Sequence, residues 1–378
     1  MSKTTINDLF IEYFLICDAK KKNELIKNAT IVLDTNVLLN CYRWSKNTAK
    51  EFLKVLQQIK KRIWLPYHVL HEFFKKRLDV IQQKRDTLKK LIEDIGKIIK
   101  TLEETRELKT HDFAEEKNKL IEVKESISHK IGVEIPDKCD DWILETITNL
   151  FKDKYGQPFP EEKCKAIIQE GKERYKKKIP PGYKDQNKDD NIKFNDLFIW
   201  KEIISYAKKN KKDVIFITDD QKEDWWWLDS QAQKISPRPE LIKEFYNDTG
   251  QLCWIYTSDR FLETIKSVLE LEITDKEALE KAIKEIKETE ELHKREYLNL
   301  TEKLQENLLL QHERWKKAFE EYLMLPSKML QDYYKLQEKL QRQQEEIREH
   351  LKSFYTFSTL TKQKATNDKD GEKEEEDR

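Results

Sequence analysis

Two apolar runs in this chain end in carboxylates. Ile31-Val32-Leu33 leads into Asp34-Thr35-Asn36, and Val214-Ile215-Phe216-Ile217 leads into Thr218-Asp219-Asp220. Short β-branched and aromatic runs with polar boundaries predict buried strands of a parallel sheet. Open α/β sheets bind ligands outside the carboxyl ends of their strands, so both acids are expected on one rim. Glu72 belongs to the helix after the short strand Arg62-Ile63-Trp64-Leu65, which Pro66 stops. It faces that rim if Val69 and Phe73 face the core. Asp196 opens a helix whose Leu197, Ile199, Trp200, Ile203 and Ile204 are placed to pack on the sheet. Clustered carboxylates repel one another unless protons or cations neutralise them. A hard divalent ion, Mg²⁺ or Mn²⁺, accepts such oxygen ligands and can orient water for attack on a phosphodiester. Asn36 and Thr218 offer neutral polar groups that could hold the strand ends or contact bound water and substrate. Taken singly, Asp34 and Asp196 also read as helix caps, the Thr218-Asp219-Asp220 run as a turn, and Glu72 as a solvated helix residue. Their order and shared placement at strand ends favour a site.

The elements that must position these acids fall into two separated segments. The first, residues 1–80, holds a leading helix, the Ile31–Leu33 strand, an amphipathic helix over 48–60, the second strand and the start of the Glu72 helix. Residues 81–175 are rich in Lys and Glu with Ile and Leu at helical spacing, which predicts a helical insertion folded back near Lys109 to Phe113. The α/β pattern resumes over 176–270 with Ile179-Pro180-Pro181-Gly182-Tyr183, a charged loop, the Asp196 helix, the second acid-tipped strand and a last strand at Leu252–Tyr256. Residues 271–360 are nearly all helix formers, with Leu300, Leu304, Leu308 and Trp315 giving an apolar face for a partner or a second copy of the chain. The tail, 361–378, has almost no apolar residues and is expected to be disordered.

With DTN after a first strand, Glu on the next helix, IPPGYKD, a helix opening NDLFIWKEI, then VIFITDD and EDWW, the chain resembles a PIN-domain nuclease of the bacterial PIN-like branch. The likeness covers about residues 28–80 and 178–260. It implies a three-layer α/β/α domain with a central parallel sheet, beside the helical insertion and the C-terminal helical region. It further implies a divalent-metal site in which Asp34, Glu72 and Asp196 are the first three acids and Asp220 the fourth, with Asp219 as its alternate. Lys184, Asp185 and Lys188, on or next to IPPGYKD, become candidates for holding substrate. The activity implied is phosphodiester hydrolysis, RNA before DNA, most simply by an endoribonuclease acting as a bacterial toxin or antiviral-defence effector. Inactive scaffolds also occur in such a family, so a nucleic-acid-binding protein assembling through its C-terminal helices is the alternative.

Composition narrows the classes further. The 72 basic and 72 acidic residues balance, so any nucleic-acid contact must come from local patches such as Lys75-Lys76-Arg77, Lys176-Lys177-Lys178 or Lys208 to Lys212. Five scattered cysteines read as reduced thiols of a cytoplasmic protein. The N-terminus lacks a signal-peptide pattern, and no apolar run approaches a membrane span. His68 and His71 lack zincin spacing around Glu72, and no glycine-rich phosphate loop is present. Of Trp225, Trp226 and Trp227, core packing is the favoured role, with at least one ring partly exposed for want of room on one face.

Overall fold

Four short strands form a parallel sheet in the order β2-β1-β3-β6: β1 (Thr30–Leu33), β2 (Ile63–Trp64), β3 (Val214–Ile217) and β6 (Cys253–Tyr256). The computed structural model describes residues 6–106, 108, 112–136, 140–189, 192–229, 233–269, 276–292 and the isolated positions 310, 314, 335 and 338. All side chains of β1 and β3 are buried, as continuous apolar runs covered on both faces must be. Helices flank the sheet in an α/β/α arrangement. Ala19–Asn28 packs with Ser258–Val268 and reaches β3, while Asn195–Asn210 packs with Pro239–Thr249 and Tyr67–Glu104.

Chain direction reverses its lateral progress between β1 and β3, because β1 connects onward to β2 on one side while β3 lies on the other. This is the topological switch point where a crevice opens at the strand ends. Register matches the two ends: Leu33 pairs with Ile217, and Ile217 with Tyr256. The ladder continues one step beyond, where Asp34 N donates to Ile217 O at 2.9 Å and Thr218 N to Tyr256 O at 3.0 Å. Asp34 and Thr218 therefore leave the sheet side by side.

The Glu72 helix and the first arm of the insertion form a single helix, Tyr67–Glu104. Ala114–Glu134 folds back along it, with Lys117 bonded to Glu103 at 3.0 Å and Gly96 near Lys124. The insertion then returns to the sheet. Leu65 N donates to Lys154 O at 3.0 Å and Gly156 N to Leu65 O at 2.8 Å, a parallel bridge that widens the edge beside β2.

The chain divides into two compact units. The first comprises Met1–Trp225 and Pro237–Thr289, the second Trp226–Ser236 and Glu290–Arg378. In the second, β4 (Trp226–Leu228) pairs with β5 (Lys234–Pro237, whose last residue belongs to the first unit), and the Lys234 ammonium lies 4.5 Å from the Trp226 ring centre. A helical stretch over 276–292 falls mostly in the first unit and buries Leu279, Ala282, Ile283 and Ile286 there. Glu285 accepts from Ser45 N at 2.6 Å, Ser45 Oγ at 2.7 Å and Thr48 Oγ1 at 2.6 Å. The beginning of the expected C-terminal helical region is thus core to the first unit. Apart from this stretch and the isolated positions, that region and the expected tail lie outside the described residues, as do Leu300, Leu304, Leu308 and Trp315.

Candidate functional site

Asp34 ends β1 and begins the helix Thr35–Arg43, so the capping role and a place in the crevice coincide in one residue. Its Oδ1 accepts from Thr35 N at 2.7 Å, and its Oδ2 accepts from Asn36 Nδ2 at 2.7 Å and Thr218 Oγ1 at 2.6 Å. Asn36 also receives the Asp219 N–H on its Oδ1 at 3.0 Å. Thr218 is wholly buried and accepts from Asn36 Nδ2 at 3.1 Å and from Asp220 N at 3.2 Å. Both neutral residues thus lock the β1 and β3 ends together and fix the Asp34 carboxylate.

Glu72 faces the rim, as its helical position predicts. It accepts from Thr35 Oγ1 at 2.8 Å, and Lys76 one turn later closes on its other oxygen at 2.5 Å. Asp196 lies in the first turn of its helix and not at the cap, which is Phe194. Its carboxylate has only a long bond from the Trp225 indole at 3.4 Å and a nearby ammonium, Lys222 Nζ, at 3.7 Å. Gly182 makes room for it. Its φ of +87° is open to glycine, and a Cβ there would stand 3.2 Å from Asp196 Cβ and 2.4 Å from the Tyr175 hydroxyl.

Adjacent acids of the TDD run take different directions. Asp219 accepts from Asn40 Nδ2, Ser258 N and Ser258 Oγ, each at 2.8 Å, and so anchors the helix Ser258–Val268 to the β3 end. Asp220 joins the cluster, 3.0 Å from Lys222 Nζ. Asp185 is buried and reaches the same ammonium at 3.1 Å and that of Lys188 at 2.8 Å. Lys184 pairs with Glu223 at 3.0 Å.

Two members of the site escape a reading of strand-end acids. Lys222 sits among Asp185, Asp196 and Asp220. Burial works against its charge, yet Asp196, Asp220, Asp185 and Asp224 together hold its proton more tightly than usual. Asp224 is fully buried; its Oδ2 accepts from Lys184 N at 3.1 Å, while Oδ1 has no hydrogen-bond partner. The only signal for Asp224 was an acid set against three tryptophans. Trp225 and Trp226 are buried, Trp225 against Phe216 and Trp200, while Trp227 is half-buried.

The electrostatics record unrelieved negative charge. Burial raises the Asp34 carboxyl well above its ordinary value, with Asp196, Glu72 and Asp220 adding to it against the Thr218 hydrogen bond. Burial likewise lifts Asp196 to about 6; Lys222 opposes, while Asp220, Asp185 and Glu72 reinforce. Asp224 is pushed up to about 7 by burial, then by Asp196 and Asp220. Among the described residues no three His, Cys, Asp or Glu side chains are already drawn together around a common metal position. Asp185, Asp196 and Asp220 are drawn instead around the Lys222 ammonium. The donors are all hard oxygens, one buried oxygen has no partner, and their charge exceeds what one lysine offsets, a set that suits a divalent cation.

Searches of curated proteins and of solved structures find no match to this chain. None of its described helices is long and apolar enough to cross a membrane. A family profile described as a PIN like domain matches residues 30–241, from the first residue of β1 past the Trp225 turn, and so takes in every acid of the rim. The chain belongs to the PIN-like domain family.

Proposed function

We propose that the rim hydrolyses phosphodiester bonds as a divalent-metal-dependent nuclease, with RNA as substrate and cleavage within the strand. The observation that carries this reading is the convergence of Asp34, Asp196 and Asp220, with Glu72 held by Thr35, at the switch point of a PIN-like sheet. Asp34, Glu72, Asp196 and Asp220 would hold Mg²⁺ or Mn²⁺. Asp219 is set aside as a ligand because its carboxylate engages Asn40 and Ser258, whereas Asp220 joins Asp185 and Asp196 at Lys222. When bound, the ion supplies the positive charge that an attacking water and a phosphate leaving oxygen require. Thr218 and Asn36 hold Asp34 in one rotamer, so the ligand is in place before substrate arrives. Lys222, which lies among these carboxylates, would contact the phosphate, with Lys184 and Lys188 on the neighbouring loop. Preference for RNA, a cytoplasmic setting and a toxin or antiviral role rest on the family resemblance and on composition.

Lys222 also favours a second reading: a domain that holds nucleic acid on its rim without cutting, its acids partly offset by the built-in ammonium in place of a metal ion. Labelled single- and double-stranded RNA and DNA, incubated with Mg²⁺, Mn²⁺ or EDTA beside Asp34→Asn, separate the two. Metal-dependent cleavage lost in the variant supports the nuclease; tight binding with no cleavage under any condition supports the second reading.

A further inference from the structure

At the sheet edge where the insertion returns beside β2, a cavity of about 500 Å³ opens against the second half of the helix Asn195–Asn210. Lys61, Trp64, Tyr155, Gln157, Tyr206 and Lys209 contribute to its lining. The Trp64 and Tyr206 rings stack with centres 4.2 Å apart and planes inclined by 23°. Gly156 presses against this pair, for a Cβ there would meet the Trp64 ring at 3.0 Å and Tyr67 N at 3.2 Å. The bridge to Leu65 fixes the backbone of Tyr155, yet the residue is 48 % exposed. An aromatic held by its backbone and left open to solvent is a stacking platform prepared in advance.

The charge of the lining is also specific. Glu202 faces the cavity, but His68 already engages it at 2.7 Å. Lys154 donates to Leu150 O at 3.2 Å. Lys61 and Lys209 are exposed, and among the described residues neither forms an ion pair, so both ammonium groups are available, with Asp153 the one acid of the lining not engaged in this way. Free ammonium groups beside an open aromatic ring and an exposed amide suit a nucleotide: phosphate on lysine, base on tyrosine, base edge on Gln157.

The same helix carries Asp196 in its first turn and Lys209 thirteen residues later, about 20 Å along its axis. We propose that this cavity is a subsite for a single-stranded polynucleotide, binding a nucleotide several positions away from the phosphodiester at the acidic rim. As a substrate subsite it rests on the nuclease reading; as a binding site it does not. It also gives the returning arm of the insertion a role, since Tyr155 and Gln157 come from it.

The test uses full-length Asp34→Asn protein in EDTA, with short fluorescein-labelled single-stranded RNA and DNA read by anisotropy and unlabelled mononucleotides as competitors. Tyr155→Ala and the pair Lys61→Glu/Lys209→Glu should each weaken oligonucleotide binding by about tenfold or more, while Tyr155→Phe restores it. The lysine pair should also flatten the salt dependence of binding. In the otherwise wild-type protein, Tyr155→Ala should raise KM and leave kcat unchanged. Unaltered oligonucleotide Kd in both variants, with circular dichroism showing them folded, overturns the proposal. So does a mononucleotide that competes as tightly as the oligonucleotide. If no cleavage is found but binding depends on Tyr155 and the lysines, the nuclease reading fails and the subsite stands.

Discussion

Asp34 and Asp196 carry the same formal charge, yet their surroundings lead to different expectations on substitution. Asp34 accepts three hydrogen bonds, so the amide of Asp34→Asn would turn a donor toward donors and lower stability by about 1–2 kcal/mol. Asp196 has only the long indole bond and many like charges, so Asp196→Asn should leave the melting temperature unchanged or raise it. Each should reduce metal-dependent cleavage on the order of 100-fold or more, read from gel assays beside thermal melts. Lys222→Met makes the opposite trade. Loss of the ammonium leaves Asp185, Asp196 and Asp220 facing one another and should destabilise the metal-free protein by on the order of 2 kcal/mol. Mn²⁺ should then bind more tightly, seen as a larger metal-induced melting shift than in the wild type. The acids themselves were legible because a carboxylate at a strand end has a fixed address on the rim. Lys222 and Asp224 were not, since a lysine two residues beyond an acid is ordinary turn composition until the turn folds. The choice between Asp219 and Asp220 stayed open in the sequence for the same reason: only the β3–β6 register shows which one meets Ser258.

The loop bearing Gly182 and the helix bearing Asp196 are tied together by a second charged cluster. Arg174 donates to Glu244 at 2.6 and 2.8 Å, to Glu170 at 3.0 Å and to Pro180 O. Trp200 and Lys201 each add a bond to Glu244 at 3.0 Å. Burial opposes ionisation of Glu244, but Arg174 and then Lys201 bring its carboxyl down to about 2 from an ordinary 4.5. Because the folded-state value lies below the unfolded one, this contribution is complete above about pH 4.5 and fades as pH falls toward 2. It amounts to about 3 kcal/mol at neutral pH. Unfolding free energies from urea melts of wild type and Glu244→Gln should differ by about that much at pH 7 and draw together on acidification; a gap that stays constant across this range would refute the assignment. Strands and helices here were readable from apolar periodicity. The Leu65–Tyr155 bridge was not, because a two-residue contact flanked by Lys, Gly and Pro has no period to detect. The β4–β5 pairing was hidden too, within a run whose tryptophans read as core.

At the scale of the molecule, the helical stretch over 276–292 sets where the chain can be shortened. Removing everything from Asp275 strips Leu279, Ala282, Ile283 and Ile286 from the core together with the Glu285 bonds. That should cost on the order of 5 kcal/mol, visible in the melt. Ending the chain after residue 292 should preserve the fold of the first unit and its metal-dependent activity on a short unstructured substrate. Loss of Mn²⁺ binding in that shorter but folded protein would contradict the division. The 38-residue helix Tyr67–Glu104 has a further consequence. It runs about 57 Å without a break, and about 48 Å of that separates Glu72, which Thr35 grips on the rim, from Glu104 at its far end. Glu72, in the second turn, and Glu104, at the far end, therefore belong to one stiff rod. A force applied at the Glu104 end, by a partner's grip or by a crosslink, is delivered as torque to Glu72, one of the four acids proposed to hold the metal.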